Sequence, residues 1–196
     1  MRYHRSDIVE RAVDILDQYG LPDLSMRRIA SELGLQPSAL YHHFTSKQVL
    51  LAAVADELLT RGDRPDADGL SWDERVIGQS RGLRDAMLAF RDGAELVATV
   101  HAFGLGARTP HARLAATIRD GGFDESFSRA AATTIMHFVF GHVSDEQTHL
   151  QANSVGAIDD VVGGGTDRAD KASFELGLTL ILDGIRLRHH AASAVG

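Results

Sequence analysis

Residues 24–54 read LSMRRIASELGLQPSALYHHFTSKQVLLAAV. Ser25 has the side-chain oxygen that caps a helix start, and the spacing predicts a short helix over Met26 to Leu33. Gly34 follows as a glycine that ends a helix in the left-handed region. Pro37 sits where a first-turn proline belongs, opening a very short helix through His43. Thr45-Ser46-Lys47-Gln48 reads as a T-x-x-Q capping box for a longer helix to about Arg61. Two short helices around a tight glycine turn make a helix-turn-helix, with Ala30, Leu35 and Leu40 small or apolar enough for a close crossing.

A reading helix this short must read bases with its N-terminal end, which offers Gln36, Pro37, Ser38, Tyr41 and His42. Gln can bond adenine bidentately, Ser can bond any base, and Pro can touch a thymine methyl. Arg27 and Arg28 begin the preceding helix, where a guanidinium can reach guanine or phosphate. Tyr41, His43, Thr45 and Lys47 surround the end of the reading helix and suit phosphate contacts that fix register. Spacing alone leaves a second reading open, in which these are merely two packed helices with Tyr41 and Phe44 in the core.

Outward from this segment the chain reads helical throughout. Ile8, Ala12, Ile15, Leu16 and Tyr19 share one face of a helix expected to start after Ser6 and to stop at Gly20. Gly62 to Gly69 is polar and turn-rich, the best linker candidate. Ser71-Trp72-Asp73-Glu74 is a second capping box, for a helix to about Phe90. Further helices are expected over Gly93 to Phe103, from Thr109-Pro110 to Gly121-Gly122, from Asp124 to about Leu150, and from about Asp170 to His190, with a loop over Asn153 to Asp167. No strand pattern or internal repeat stands out. The fold class is therefore all-α. A three-helix DNA-binding part is expected over 1–48 and a second helical part over 49–196, connected by the helix that follows the reader.

Composition narrows the function classes. The 196 residues include no cysteine, which excludes disulfides, thiolate metal sites and cysteine nucleophiles and fits a reducing compartment. The N-terminus has no signal-like apolar run, and no apolar stretch is long enough to span a bilayer, so a cytoplasmic protein without membrane partners is expected. Net charge is −7, yet residues 1–50 hold six basic and six acidic residues, so the whole deficit lies in 51–196. A polyanion responds to charge at the docking face more than to the global sum.

The segment quoted above resembles the N-terminal signature of the TetR family of transcriptional regulators. The shared elements are Ser25-x-Arg27-x-Ile29-Ala30, the Leu33-Gly34-Leu35 turn, Leu40-Tyr41-x-His43-Phe44, and Lys47-x-x-Leu50-Leu51. Residues 71–94, 136–149 and 174–185 are more loosely similar to the tetracycline-repressor branch of that family. The resemblance implies a homodimer that grips double-stranded operator DNA and releases it when a small-molecule effector binds the C-terminal helices. It places Gln79 at a drug-binding Asn, Leu83 at an aromatic, His137 at a pocket histidine, and Asp145 at a water-binding Glu. The branch's direct metal-ligand histidine falls at Val97, with His101 one helical turn away. No resident cofactor or metal is expected.

An effector pocket lined by Leu83, Met87, Phe90, His101, Phe103, Thr133 and His137, with Gln79, Val97 and Asp145, is mainly apolar with a few polar groups. Such a mix suits a planar or polycyclic ligand. Plain core packing is the competing reading for each apolar member. The last two long helices are apolar on more than one face: Leu176, Leu180, Gly184 and Leu187 make one stripe on the final helix, and Phe174, Leu178, Ile181 and Ile185 another. So wide a surface needs a partner, and Gly177 and Gly184 suggest close helix approach, as in a bundle formed across a dimer axis. Glu146-x-x-His149 is the lone di-iron-type motif, and His142, Glu146 and His149 share a face; a solvated helix end is the plainer reading. No nucleophile elbow or paired carboxylate appears, and no enzyme is expected. The alternative is a small-molecule-binding helical protein, or an enzyme, with a vestigial DNA-binding head.

Overall fold

The computed structural model describes residues 3–63, 65–154 and 166–193. The described residues form nine α-helices and one 3-10 turn, with no strand among them. They are α1 (Arg5–Tyr19), the 3-10 turn (Leu21–Asp23), α2 (Met26–Glu32), α3 (Pro37–Tyr41), α4 (Lys47–Gly62), α5 (Trp72–Leu88), α6 (Gly93–Ala102), α7 (Arg108–Asp120), α8 (Glu125–Ser154) and α9 (Thr166–Ser193). None is long and apolar enough to cross a membrane.

The chain divides into two compact units, one of Met1–Asp63 with Asp85–Arg108, the other of Arg64–Arg84 with Thr109–Gly196. In the first, α1 buries Ile8, Ala12, Ile15 and Leu16 at helical spacing against α2 and α4. Leu24, Ile29, Leu40, Phe44, Leu50 and Leu58 complete that core. α4 also packs along α6, whose Leu96, Val97 and Val100 are buried.

In the second unit, α8 and α9 pack along one another. Phe138 stacks on Phe174, their ring centroids 5.6 Å apart. The start of α5 joins through Trp72, whose ring meets Phe123 edge-on at 5.2 Å. Bidentate Arg81–Glu175 bonds of 2.7 Å and an Arg186–Asp73 pair fasten α5 to α9.

Most helix ends are where the sequence puts them, with differences that have local causes. Ser25 Oγ accepts from the Arg28 amide, and Asp124 Oδ1 from the Ser126 and Phe127 amides. Ser71 and Glu74 close the expected capping box. The α4 cap is Ser46, one residue beyond the expected Thr45: its Oγ accepts from the Val49 amide at 3.2 Å, and helix begins at Lys47. α1 starts at Arg5, before the expected Ser6 cap, because the Asp7 carboxylate turns back to the His4 amide at 2.7 Å. α8 runs to Ser154 and α9 begins at Thr166, so both enter the stretch expected as a loop; its residues 155–165 lie outside the described residues.

Candidate nucleic-acid interface

The turn between α2 and α3 is built by its backbone. The Gly34 amide bonds Ser31 O at 3.1 Å and the Leu35 amide bonds Ala30 O at 2.8 Å. This is the paired closure of a helix end that needs a left-handed residue, and Gly34 has φ 65°. Pro37 then opens α3 with a preset φ, and Leu40, fully buried, pins α3 to the core. The Leu40 carbonyl accepts from both the His43 and Phe44 amides at 2.9 Å, so α3 closes at Tyr41, earlier than the expected His43, and runs into a compact turn.

Burying Leu40 and Phe44 leaves the opposite side of α3 outward. Arg27, Gln36, Ser38, Tyr41, His42 and Thr45 are exposed, while Arg28, Pro37, His43 and Lys47 are half-buried. Tyr41, half exposed at 51 %, is an outward aromatic and no part of the core. The two arginines of α2 differ. Arg28 is engaged within the chain, 2.9 Å from Asp23 and 3.9 Å from Glu32, with its guanidinium 3.9 Å over the Tyr19 ring. Arg27 has neither an ion pair nor a hydrogen bond among the described residues and points its charge to solvent.

Two contacts join α1 and the 3-10 turn to the start of α6, and sequence spacing does not show either. Asp92, the residue before α6, adopts the left-handed conformation at φ 54° and accepts from the Leu21 amide at 2.7 Å. The Arg91 amide reaches Asp17 Oδ1 at 3.4 Å. Beyond the other end of α6, Ala107, also left-handed at φ 58°, donates its amide to Asp56 Oδ1 of α4 at 3.0 Å. Non-glycine residues at positive φ and contacts across 71 and 51 residues of chain leave no periodic trace.

The expected effector residues divide between the two units. Met87, Phe90, Val97, His101 and Phe103 lie in the first; Met87 and Val97 are buried, Phe90 and His101 half-buried, and Phe103 is 61 % exposed. Gln79, Leu83, Thr133, His137 and Asp145 lie in the second. There His137 and Asp145 are exposed on one side of α8, whereas Gln79 and Leu83 are buried. Gln79 donates to Asp66 at 2.9 Å and Thr117 at 2.8 Å, and Arg113 holds Asp66 at 2.9 Å. The Gln79 carbonyl oxygen is buried with no hydrogen-bond partner among the described residues.

Glu146 is buried in a bidentate pair with Arg84 of α5, and His142 Nε2 lies 3.0 Å from Asp170 O. Both are thereby drawn away from the shared metal-binding face considered from the sequence. Among the described residues no group of three His, Asp or Glu side chains is arranged to hold a metal ion.

Comparison with known proteins agrees with this architecture. Residues 8–54 match the model of bacterial regulatory proteins of the tetR family, and residues 64–162 match the tetracyclin repressor-like C-terminal domain. The class A tetracycline repressor from transposon 1721 of Escherichia coli is 32 % identical, with 92 % of this chain and 89 % of that protein aligned. The crystal structure of Mycobacterium smegmatis BioQ superimposes with a TM-score of 0.82 at 39 % identity, covering 94 % of this chain and 98 % of the other. A structure of BioQ with its double-stranded DNA operator has a TM-score of 0.78 at 38 % identity over the same shares. With a matching head, a matching C-terminal domain and an outward-facing reading helix, the chain belongs to the TetR family and is a DNA-binding transcriptional repressor.

Proposed function

We propose that this repressor works in the cytoplasm as a homodimer whose two α3 helices read half-sites one helical turn apart, and that a small molecule of planar or polycyclic shape releases it. Residues 1–48 form the reader, and 49–196 take the effector and the second copy. Gln36, Pro37, Ser38 and His42 meet base edges together with Arg27. Tyr41, His43, Thr45 and Lys47 meet phosphates, and Arg28 supports them from its Asp23 anchor. The relatives found are regulators, and no catalytic role is proposed.

The observation that carries the release model is the double attachment of α6, by Asp92 to the α1–α2 turn and through Asp56 to α4. A ligand releases DNA only if it binds the DNA-incompetent shape more tightly. Ligand contact at Val97 or His101 moves α6, and α6 carries the reader with it. The dimer reading rests on α9, where Leu176, Leu180 and Leu187 are 62–69 % exposed and share a side with exposed Gly184. A stripe of this kind needs a cover. His137 and Asp145 are exposed on α8 and suit an effector site completed by the second copy.

The test starts from duplexes enriched by the protein from a random library, with affinity followed by fluorescence anisotropy. Lys47→Ala weakens binding on all sequences and lowers the salt slope by about 1, whereas Gln36→Ala changes which duplex is preferred. A panel of planar polycyclic compounds, tetracycline included, is then screened by thermal shift. A compound that binds yet leaves duplex affinity unchanged, with α3-to-α3 spin-label distances fixed, sinks the release model.

A further inference from the structure

Arg5 occupies the first turn of α1, where the helix dipole disfavours a cation. Its side chain does not simply extend into solvent. Nη1 donates to the His43 carbonyl at 3.2 Å, across 38 residues of chain, and the guanidinium lies 4.2 Å over the Phe44 ring. Both partners belong to the turn that follows α3. Phe44 is fully buried, and the Leu40 carbonyl ties Leu40, His43 and Phe44 into one closed loop of backbone.

α3 has only five residues, too few to hold its own geometry, so its direction is set by what grips its two ends. The Gly34 turn grips the start, and Leu40 and the His43–Phe44 turn grip the finish. We propose that Arg5 is a positioning residue of the operator reader. By bonding the His43 carbonyl and capping the Phe44 ring it fixes the tilt of α3, and so sharpens sequence discrimination through that turn rather than through a phosphate contact. A carbonyl just past a helix C-terminus is a favourable place for a cation, and a guanidinium over an aromatic face adds to the attraction. The segment it locks carries Tyr41, His42 and Thr45, all exposed.

The experiment uses the full-length protein with two probes: a duplex enriched from a random library by the wild type, and a scrambled duplex of the same composition. Arg5→Met keeps a long apolar cover on Phe44 and removes the charge and its bond. Affinity for the enriched duplex is expected to fall about threefold, the scale of one solvent-exposed charged contact. Affinity for the scrambled duplex and the slope of affinity against salt are expected to stay unchanged. Equal losses on both probes, with the slope reduced by about 1, would show Arg5 to be a phosphate ligand and overturn the proposal. So would an unchanged ratio between the probes.

A second measurement guards against a variant that only unfolds. Phe44→Leu and the double variant complete a cycle on the ratio of the two affinities, with thermal melting recorded for each. The two changes are expected to be strongly non-additive in that ratio, because they break one contact. Additive effects, or a ratio that simply follows the melting temperature, would refute the positioning role.

Discussion

The Arg84–Glu146 pair links α5 to α8 inside the second unit. Both side chains are almost wholly buried, Arg84 uses Nε and Nη2 on the two carboxylate oxygens, and its guanidinium lies 5.7 Å from the Phe174 ring centre. A pair taken out of water stabilises little on balance, yet breaking it removes the carboxylate that balances a buried guanidinium. Glu146→Ala is therefore expected to cost about 3–5 kcal/mol, read as a fall in the urea midpoint, while replacing both residues with apolar ones of similar volume restores most of it. A midpoint unmoved by Glu146→Ala would show that the arginine finds water or another acceptor. The sequence offers Glu146 in a motif that suggests metal, because local spacing records only neighbours on the same helix; its actual partner is 62 residues away on another.

At the scale of helices, α9 shows two glycines with opposite tasks. A Cβ at Gly177 would lie 2.5 Å from Phe138 Cζ, so this glycine lets the α8 ring press against α9 within one chain. At Gly184 an added Cβ meets nothing within 4 Å, and the residue sits on the exposed leucine side. Gly177→Ala is expected to lower the melting temperature by several degrees, since a packed ring must move. Gly184→Trp is expected to leave the fold intact, by circular dichroism, and to shift sedimentation from dimer to monomer. A stable dimer in Gly184→Trp would place the interface elsewhere. Helix existence was legible throughout because apolar period, caps and glycine stops agree from Ser25 to Gly34 and from Ser71 onward. The ends were less so, because the choice between Thr45 and Ser46, or His4 and Ser6, turns on which oxygen meets an amide, and composition does not record that.

For the molecule as a whole, acid is expected to act through carboxylates that the fold holds ionised. Burial pushes Asp73 up, but the Ser71 hydroxyl and the Arg186 guanidinium outweigh it and hold its pKa below the ordinary 3.8. Arg81 holds Glu175 below the ordinary 4.5. A carboxylate depressed in the fold contributes stability above its unfolded pKa and loses it as pH falls through the folded one. Melting temperature should thus be level near neutrality and drop below about pH 4.5, with a smaller drop in Asp73→Asn. An equal acid loss in that variant would assign the effect to other groups. The helix-turn-helix of the first unit and its outward side were legible from residues 24–54 alone, because such a motif is local in sequence. The expected effector residues came partly from resemblance, as for Gln79, His137 and Asp145, and partly from the apolar mix of the middle helices, as for Met87 and Phe90, whereas the contacts around α6 were not traceable at all. Those contacts have a mechanical meaning. With Asp92 pinned just before α6 and the Ala107 amide pinned beyond its far end, the segment from 92 to 107 is held like a beam at two supports rather than a pendulum hung from one. A clamped beam cannot swivel to absorb a push at mid-span. On the release model proposed above, a load applied near Val97 would pass into both mountings, so that the stiffness of this segment, rather than a flexible hinge, would carry a small displacement to the DNA.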